Sequence, residues 1–273
     1  MVCCSLRHAG EELLAQLDGL AAYARTGKTM GIPLLHPWAN RLGEWSYEAA
    51  GREVDLRALD GGPVCADGET GLPMHGTLPR RFGVVAADAS RLEAELGDAA
   101  SAAFPFEHAV RLEATLTATT LRIATTVTAA GDGPVPVAFG FHPYLTLPGV
   151  PRDDYRVELP VSRRLVLGEH KLPTGATEAV EPFAGPLGGH AFDDGYDEVA
   201  QPAVFVLEGG GRRIELRFES GFPVAQVFAP PGQEFACFEP MTARTDALRT
   251  GEFPLATPGE PYAAAFSITV AAA

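Results

Sequence analysis

Alternation with a period of two runs through much of the chain and predicts a mainly β protein, built as a large antiparallel β-sandwich. Thirty glycines and 23 prolines are many turn-formers for a helical bundle, but they suit short strands joined by frequent turns. Hydrophobic residues make up 46% of the chain and charged residues 21%, so a sizeable core can be buried. The length of 273 residues carries a prior of roughly two domains, yet all-β domains often reach roughly 250 residues. No internal repeat, low-complexity tract or linker-like shift divides the sequence. Residues 1–273 are expected to form a single domain.

The elements follow from that period. In Glu107–Leu116, Val110, Leu112, Ala114 and Leu116 share one face, while Arg111, Glu113 and Thr115 share the other. Thr120–Thr128 repeats the pattern with Leu121, Ile123, Thr125 and Val127, and the two runs read as an antiparallel pair. Ala203–Glu208 and Arg212–Glu219 flank Gly209-Gly210-Gly211, where glycine can take the positive φ that a tight hairpin needs. Further strands are expected at Trp45–Tyr47, Glu53–Leu56, Phe82–Ala87, Val135–Phe139, Tyr155–Leu159, Leu165–Leu167, Val224–Phe228, Phe235–Phe238 and Tyr262–Val270. Glu11–Ala24 fits a helix through Leu13, Leu14, Leu17, Leu20, Ala21 and Ala24, or a short strand through Leu13-Leu14 followed by a loop. A short helix is also expected near Thr242–Arg249.

Charge and motifs exclude several classes of function. Lys and Arg total 21 against 35 Asp and Glu, a net charge of -14, which works against nucleic acid and against an anionic membrane. No apolar run approaches the roughly 18 residues of a spanning helix. Cys3, Cys4, Cys65 and Cys237 form no C-x-x-C pair, and the chain start reaches Arg7 before any signal-type apolar stretch. Reduced thiols and a cytoplasmic location are therefore expected. Gly27-Lys28-Thr29 lacks the second glycine of a P-loop, because Ala22 stands there. The histidines stand too far apart for a local metal pair, so neither a metal nor a cofactor is expected.

Five segments place polar or ionisable residues among apolar ones. Phe139-Gly-Phe-His142-Pro-Tyr144 should end a strand at His142, since the residue before proline is pushed toward extended backbone. Phe235-Ala-Cys-Phe238-Glu239-Pro240 closes an apolar strand with a carboxylate, where partial desolvation raises the pKa and makes a better base. The others are Leu72-Pro-Met-His75-Gly76, His36-Pro-Trp38-Ala-Asn40-Arg41 and His190-Ala-Phe192-Asp193-Asp194-Gly195-Tyr196. Asp193 and Asp194 before Gly195 also fit a plain turn. His36 and His190 read as structural or solvent-facing.

Together, and in this order, these segments resemble the aldose 1-epimerase (galactose mutarotase) family. The resemblance runs from about Ser5 to Val270. It implies a galactose mutarotase-like supersandwich without a cofactor, monomeric or homodimeric, with a sugar cleft across one sheet. It also implies interconversion of the α and β anomers of a hexose by acid/base ring opening. Glu239 would be the base and His142 the acid, with His75 assisting at the ring oxygen. Arg41, Asn40 and Asp193 would hold sugar hydroxyls, and Trp38, Tyr144 or Phe192 would pack on the ring. Against the family pattern, the chain is expected to lack the first one or two N-terminal strands. Arg80 and Arg81 follow His75 closely and would suit a sugar phosphate, but successive strand residues point to opposite faces. The rival functions are a hexose-6-phosphate 1-epimerase, a non-catalytic carbohydrate-binding sandwich and a glycosidase using Asp193 and Glu239.

Overall fold

A computed structural model describes residues 1–272, and two nine-stranded antiparallel sheets dominate it. The front sheet runs in the order Val2–Cys3, Ile32–Leu35, Gly140–Phe141, Ala236–Met241, Val224–Ala229, Phe192–Tyr196, Arg163–Leu167 and Pro173–Ala179. Its ninth strand, Tyr144–Leu145, also pairs with Ala236–Met241. The back sheet runs Phe183–Pro186, Arg156–Leu159, Ala203–Gly209, Arg212–Ser220, Tyr262–Ala272, Thr120–Ala129, His108–Leu116, Arg91–Leu96 and Gly83–Ala87. The predicted antiparallel pairing is present, with Val110 opposite Val127 and Leu112 opposite Thr125.

Alternation sends one face of each sheet into a shared core. Phe205 of the back sheet meets Phe238 of the front at a ring-centroid distance of 5.5 Å, and Phe266 meets Phe141 at 5.0 Å. Each fully buried Phe or Leu contributes on the order of 1.5–3 kcal/mol by leaving water. The hairpin closes at Gly210 and Gly211, which have φ of 59° and 76°, the two consecutive left-handed residues of a two-residue turn.

Glu11–Ala24 divides between its two readings. The short strand is Glu11–Glu12, ahead of the expected Leu13-Leu14, where Leu14 makes only an isolated bridge to Leu145. Gly19–Thr26 is a helix, because Gly19 at φ 81° interrupts the Leu13–Ala24 periodicity. The expected C-terminal helix is confined to Ala247–Thr250. Asp193-Asp194-Gly195 is strand rather than turn, paired along its length with Val224–Ala229. Arg80 and Arg81 lie outside strands, so strand alternation does not separate their side chains. Ile32–Leu35 and Pro173–Ala179 are strands without a period-two signal that sets them apart. Arg91–Leu96 does alternate, Leu92, Ala94 and Leu96 against Arg91, Glu93 and Glu95, and is an unexpected strand despite that signal. Among the described residues no helix is long and apolar enough to cross a membrane.

Two connections cross at close range beside the front sheet. His75 and Gly76 have φ of 58° and 74°, and a Cβ on Gly76 would stand 2.2 Å from the His36 carbonyl oxygen. Here the Thr77 N–H donates to the His36 carbonyl (3.1 Å) and the His75 N–H to that of Asn40 (2.8 Å). Only glycine permits this approach. Gly76→Ala is expected to cost more than about 1 kcal/mol and to lower Tm by at least roughly 2 °C, with a loss of whatever activity depends on His75. Thermal melts read by circular dichroism check this, and an unchanged Tm would contradict the crossing.

Candidate active site

The outer face of the front sheet carries a row of polar residues that alternation aims away from the core. Glu239 stands opposite Gln226, Cys237 opposite Phe228, and Phe228 opposite Asp193. Tyr144 stands opposite Cys237 and shares that face, whereas Phe238 and Val227 point into the sandwich. The row forms the floor of a cleft of about 380 Å³. Its walls come from Tyr23, Thr26–Thr29, Asn40–Arg41, Cys65–Asp67 and Met74–Pro79, with Cys65 Sγ donating to the Thr26 carbonyl (3.5 Å).

Glu239 and His142 meet at the floor, with Glu239 Oε1 and His142 Nε2 3.2 Å apart and the residues 2% and 5% exposed. Burial pushes the Glu239 carboxyl well above the usual carboxylate range, and the nearby Asp193 charge adds to this. Burial likewise lowers His142 well below the usual histidine value, with His75 contributing. His75 stands edge-on to His142 at 5.7 Å between centroids and is lowered to about 4, by burial and then by the Arg41 charge. Both shifts favour the neutral forms, a protonated carboxyl beside a neutral imidazole.

Arg41 lies nearly buried along the wall. Its Nε donates to Asp67 Oδ2 (3.0 Å), and one terminal nitrogen donates to Asn40 Oδ1 (3.3 Å). Burial opposes ionisation of Asp67, but hydrogen bonds from Thr70, the Glu69 N–H and Arg41 hold its carboxyl below the usual range. Asn40 adopts φ 56°, a conformation asparagine tolerates, and its side chain also caps the Arg41 N–H (2.9 Å). Asp193 accepts from Gln226 Nε2 at Oδ1 (2.9 Å) and from Lys171 Nζ at Oδ2 (3.0 Å).

Seven of the nine expected site residues thus line one cleft: Glu239, His142, His75, Arg41, Asn40, Asp193 and Tyr144. Trp38 does not. It is 1% exposed in the core against Tyr47, because Ala39 and Asn40 turn the chain before the cleft is reached. Phe192 packs beside Phe183 and His190 instead of lining the cleft. Tyr144 lines it, but one ring face is stacked on His142 at 4.2 Å and its hydroxyl is 2.5 Å from Thr29 Oγ1. No open ring face of Tyr144 is therefore available on that side for a ligand. His36 is half-buried against His108, with their Nε2 atoms 3.1 Å apart, which is the structural one of its two expected placements. Sequence reasoning missed Gln226, Asp67 and Lys171. For Gln226 a signal existed, since it shares the face of Phe228 in an expected strand.

The two sheets and the cleft on one outer face define a sandwich of the galactose mutarotase type. Its architecture matches a candidate aldose 1-epimerase of Escherichia coli K12 at a TM-score of 0.77 and 21% identity, covering 100% of this chain and 93% of that one. It also matches a galactose mutarotase related enzyme of Lactobacillus acidophilus (TM-score 0.74, 18% identity, 97% and 89% covered). A galactose mutarotase-like protein of Clostridium acetobutylicum gives a TM-score of 0.76 at 16% identity, with 96% and 86% covered. A comparison with curated proteins finds no significant match. The family model of aldose 1-epimerase matches residues 4–269, and the chain belongs to that family.

Burial of Glu239 has a consequence for stability. A group whose folded pKa is raised favours the fold below its unfolded pKa, here near 4.5, and that contribution is lost as pH rises through the folded value. Glu239→Gln keeps the shape without a charge to desolvate. It is expected to gain Tm relative to the wild type progressively as pH rises above 4.5, with the smallest difference in acid. Melting curves from acid to alkaline pH test this, and a difference independent of pH would contradict desolvation.

Proposed function

We propose that the protein is an aldose 1-epimerase that interconverts the α and β anomers of a neutral hexose. The observation that carries the reading is the buried Glu239–His142 pair, 3.2 Å apart, at the floor of a cleft lined by polar side chains. The anomeric hydroxyl and ring oxygens are bonded to the same carbon, so two groups this close can address both at once. In the ionic form, the Glu239 carboxylate takes the anomeric proton while His142 gives its proton to the ring oxygen. The C1–O5 bond breaks as the C1=O1 bond forms. Rotation about C1–C2 turns the aldehyde, and the reverse transfers close the ring on the other face. The neutral and ionic forms of the pair contain the same single proton, so either is one transfer from the other. His75, whose buried Nδ1 has no partner among the described residues, stands ready to assist at the ring oxygen.

Charge pairing favours a neutral sugar over a sugar phosphate. Arg41, Lys28 and Lys171 line the cleft, and each is held by a carboxylate: Asp67, Asp18, and Glu69 with Asp193. Arg80 and Arg81 do not line it, and the Arg80 guanidinium donates to the carbonyls of Asp98, Ala99 and Ala100. The four cysteines are unpaired, in keeping with action in the cytoplasm.

Polarimetry of freshly dissolved α-D-glucose and α-D-galactose, with NMR on glucose 6-phosphate, is expected to give faster turnover of the neutral sugars. Glu239→Gln should reduce turnover by about 10²–10⁴-fold with sugar binding largely kept, and His142→Asn similarly. Because both residues act in one event, the double variant should be little worse than either single one. Near-normal turnover by a folded glutamine variant would remove Glu239 from the base role.

The pH profile of kcat/KM follows from the pair's proton count. Activity falls in acid as His142 takes a second proton, and burial places that limb below the usual 6.5. It falls in alkali when the last proton leaves, above the usual carboxylate 4.5. A broad plateau with its acid limb well under pH 6.5 is expected. An acid limb at or above 6.5 would contradict it.

A further inference from the structure

Lys171 reaches the cleft from the turn after Arg163–Leu167 and connects two parts of its mouth. Its Nζ lies 2.8 Å from Glu69 Oε2, on the loop that carries Asp67, and 3.0 Å from Asp193 Oδ2 on the floor. The turn that presents it is strained. His170 and Lys171 take φ of 56° and 58°, two consecutive left-handed residues without a glycine. Such conformations cost on the order of 1–3 kcal/mol each and persist where the surroundings impose them.

A count of hydrogen-bonding capacity shows what the arrangement leaves open. An ammonium has three donors, and two point to Glu69 and Asp193. A carboxylate has about four acceptor sites, and on Asp193 Gln226 and Lys171 occupy two. One donor and spare acceptors therefore stand side by side in the cleft. That is the complement of two adjacent hydroxyls, one accepting and one donating. An anionic substituent fits poorly, since it would meet the carboxylates of Glu69 and Asp193 around the same ammonium.

We propose that Lys171 is a specificity-determining residue which, together with Asp193, reads a vicinal diol of the sugar. The proposal rests on the epimerase reading for its kinetic form but concerns recognition, not proton transfer. Lys171 acts in binding, so its loss raises KM and leaves kcat nearly unchanged.

The test compares wild type, Lys171→Met, which keeps the aliphatic stem, and Lys171→Arg, each shown to be folded by circular dichroism. D-glucose, D-galactose and the 2-, 3-, 4- and 6-deoxyglucoses are the substrates. Lys171→Met is expected to raise KM for the parent hexoses about 10- to 100-fold, the size of a hydrogen bond to a charged group, with partial rescue by arginine. In the wild type the analogues lacking either hydroxyl of that diol should fall well below glucose, and in Lys171→Met the gap for the hydroxyl that accepts from Lys171 should close. Equal KM in wild type and Lys171→Met, or the same analogue gap in both, would overturn the assignment. Titration calorimetry with D-glucose and D-galactose separates the two readings. Lys171-dependent affinity without turnover would sink the epimerase reading and keep this one, while affinity indifferent to Lys171 would sink this one alone.

Discussion

Glu239 can be buried beside an imidazole because of where strand alternation leaves it. Phe238 and Glu239 are neighbours in the same strand, yet one packs on Phe205 in the sandwich and the other faces the cleft. A lone ionised carboxylate in so little water would cost far more than a domain can spare, so the group neutralises instead. The neighbours on its face suit that state. Gln226 lies directly across the ladder, and Tyr144, Phe235 and Cys237 form a buried apolar cluster on the same sheet. A one-residue slip of this strand would exchange Glu239 with Phe238 and destroy core and site together. The register of the front sheet and the acid/base pair are therefore one constraint.

The walls solve a different problem, which is to hold polar side chains rigidly on irregular backbone. Asn40 and His75 are both left-handed, and the chain segments bearing them are stitched by the Arg41–Met74 bridge and by the His75 N–H to the Asn40 carbonyl. The Arg41–Asp67 pair then locks the loop that also carries Glu69. Its side chains are 7% and 15% exposed, and removing one partner of such a buried pair typically costs about 3–5 kcal/mol. Each cation in the cleft is matched by a carboxylate, so the wall offers directed donors without a net positive field. That suits hydroxyls better than phosphates.

How much of this the sequence discloses depends on whether the signal is local. The back-sheet pairing of His108–Leu116 with Thr120–Ala129 is legible because both strands are long and one-sided. Glu239 and His142 are legible because an ionisable residue before proline in an apolar run is conspicuous, and the family resemblance then groups them with His75, Arg41, Asn40 and Asp193. Trp38 is misread because a tryptophan beside an asparagine-arginine pair looks the same whether it faces ligand or core. Asp193-Asp194-Gly195 mimics a turn, and only pairing with Val224–Ala229 makes it a strand. Asp67 and Lys171 were invisible, since each sits in a loop of ordinary polar composition. Their roles come from partners 26 and 22 residues away.

The same burial that makes Glu239 costly is compatible with catalysis because the pair, not the residue, is the titrating unit. Shifting one proton between Oε1 and Nε2 leaves the net charge of the floor unchanged, so the low dielectric opposes a dipole rather than an isolated ion. Two independent groups tuned separately would each have to pass through an uncompensated charged state in the absence of water. An anomeric interconversion also has no preferred direction of attack, since the ring must open and close on either face by the reverse of the same transfers. In the proposed reaction a single proton shared between two buried groups satisfies that symmetry, because each group would be acid in one half and base in the other. Strand pairing of Ala236–Met241 on both sides and the core behind the front sheet position the two groups for such an exchange.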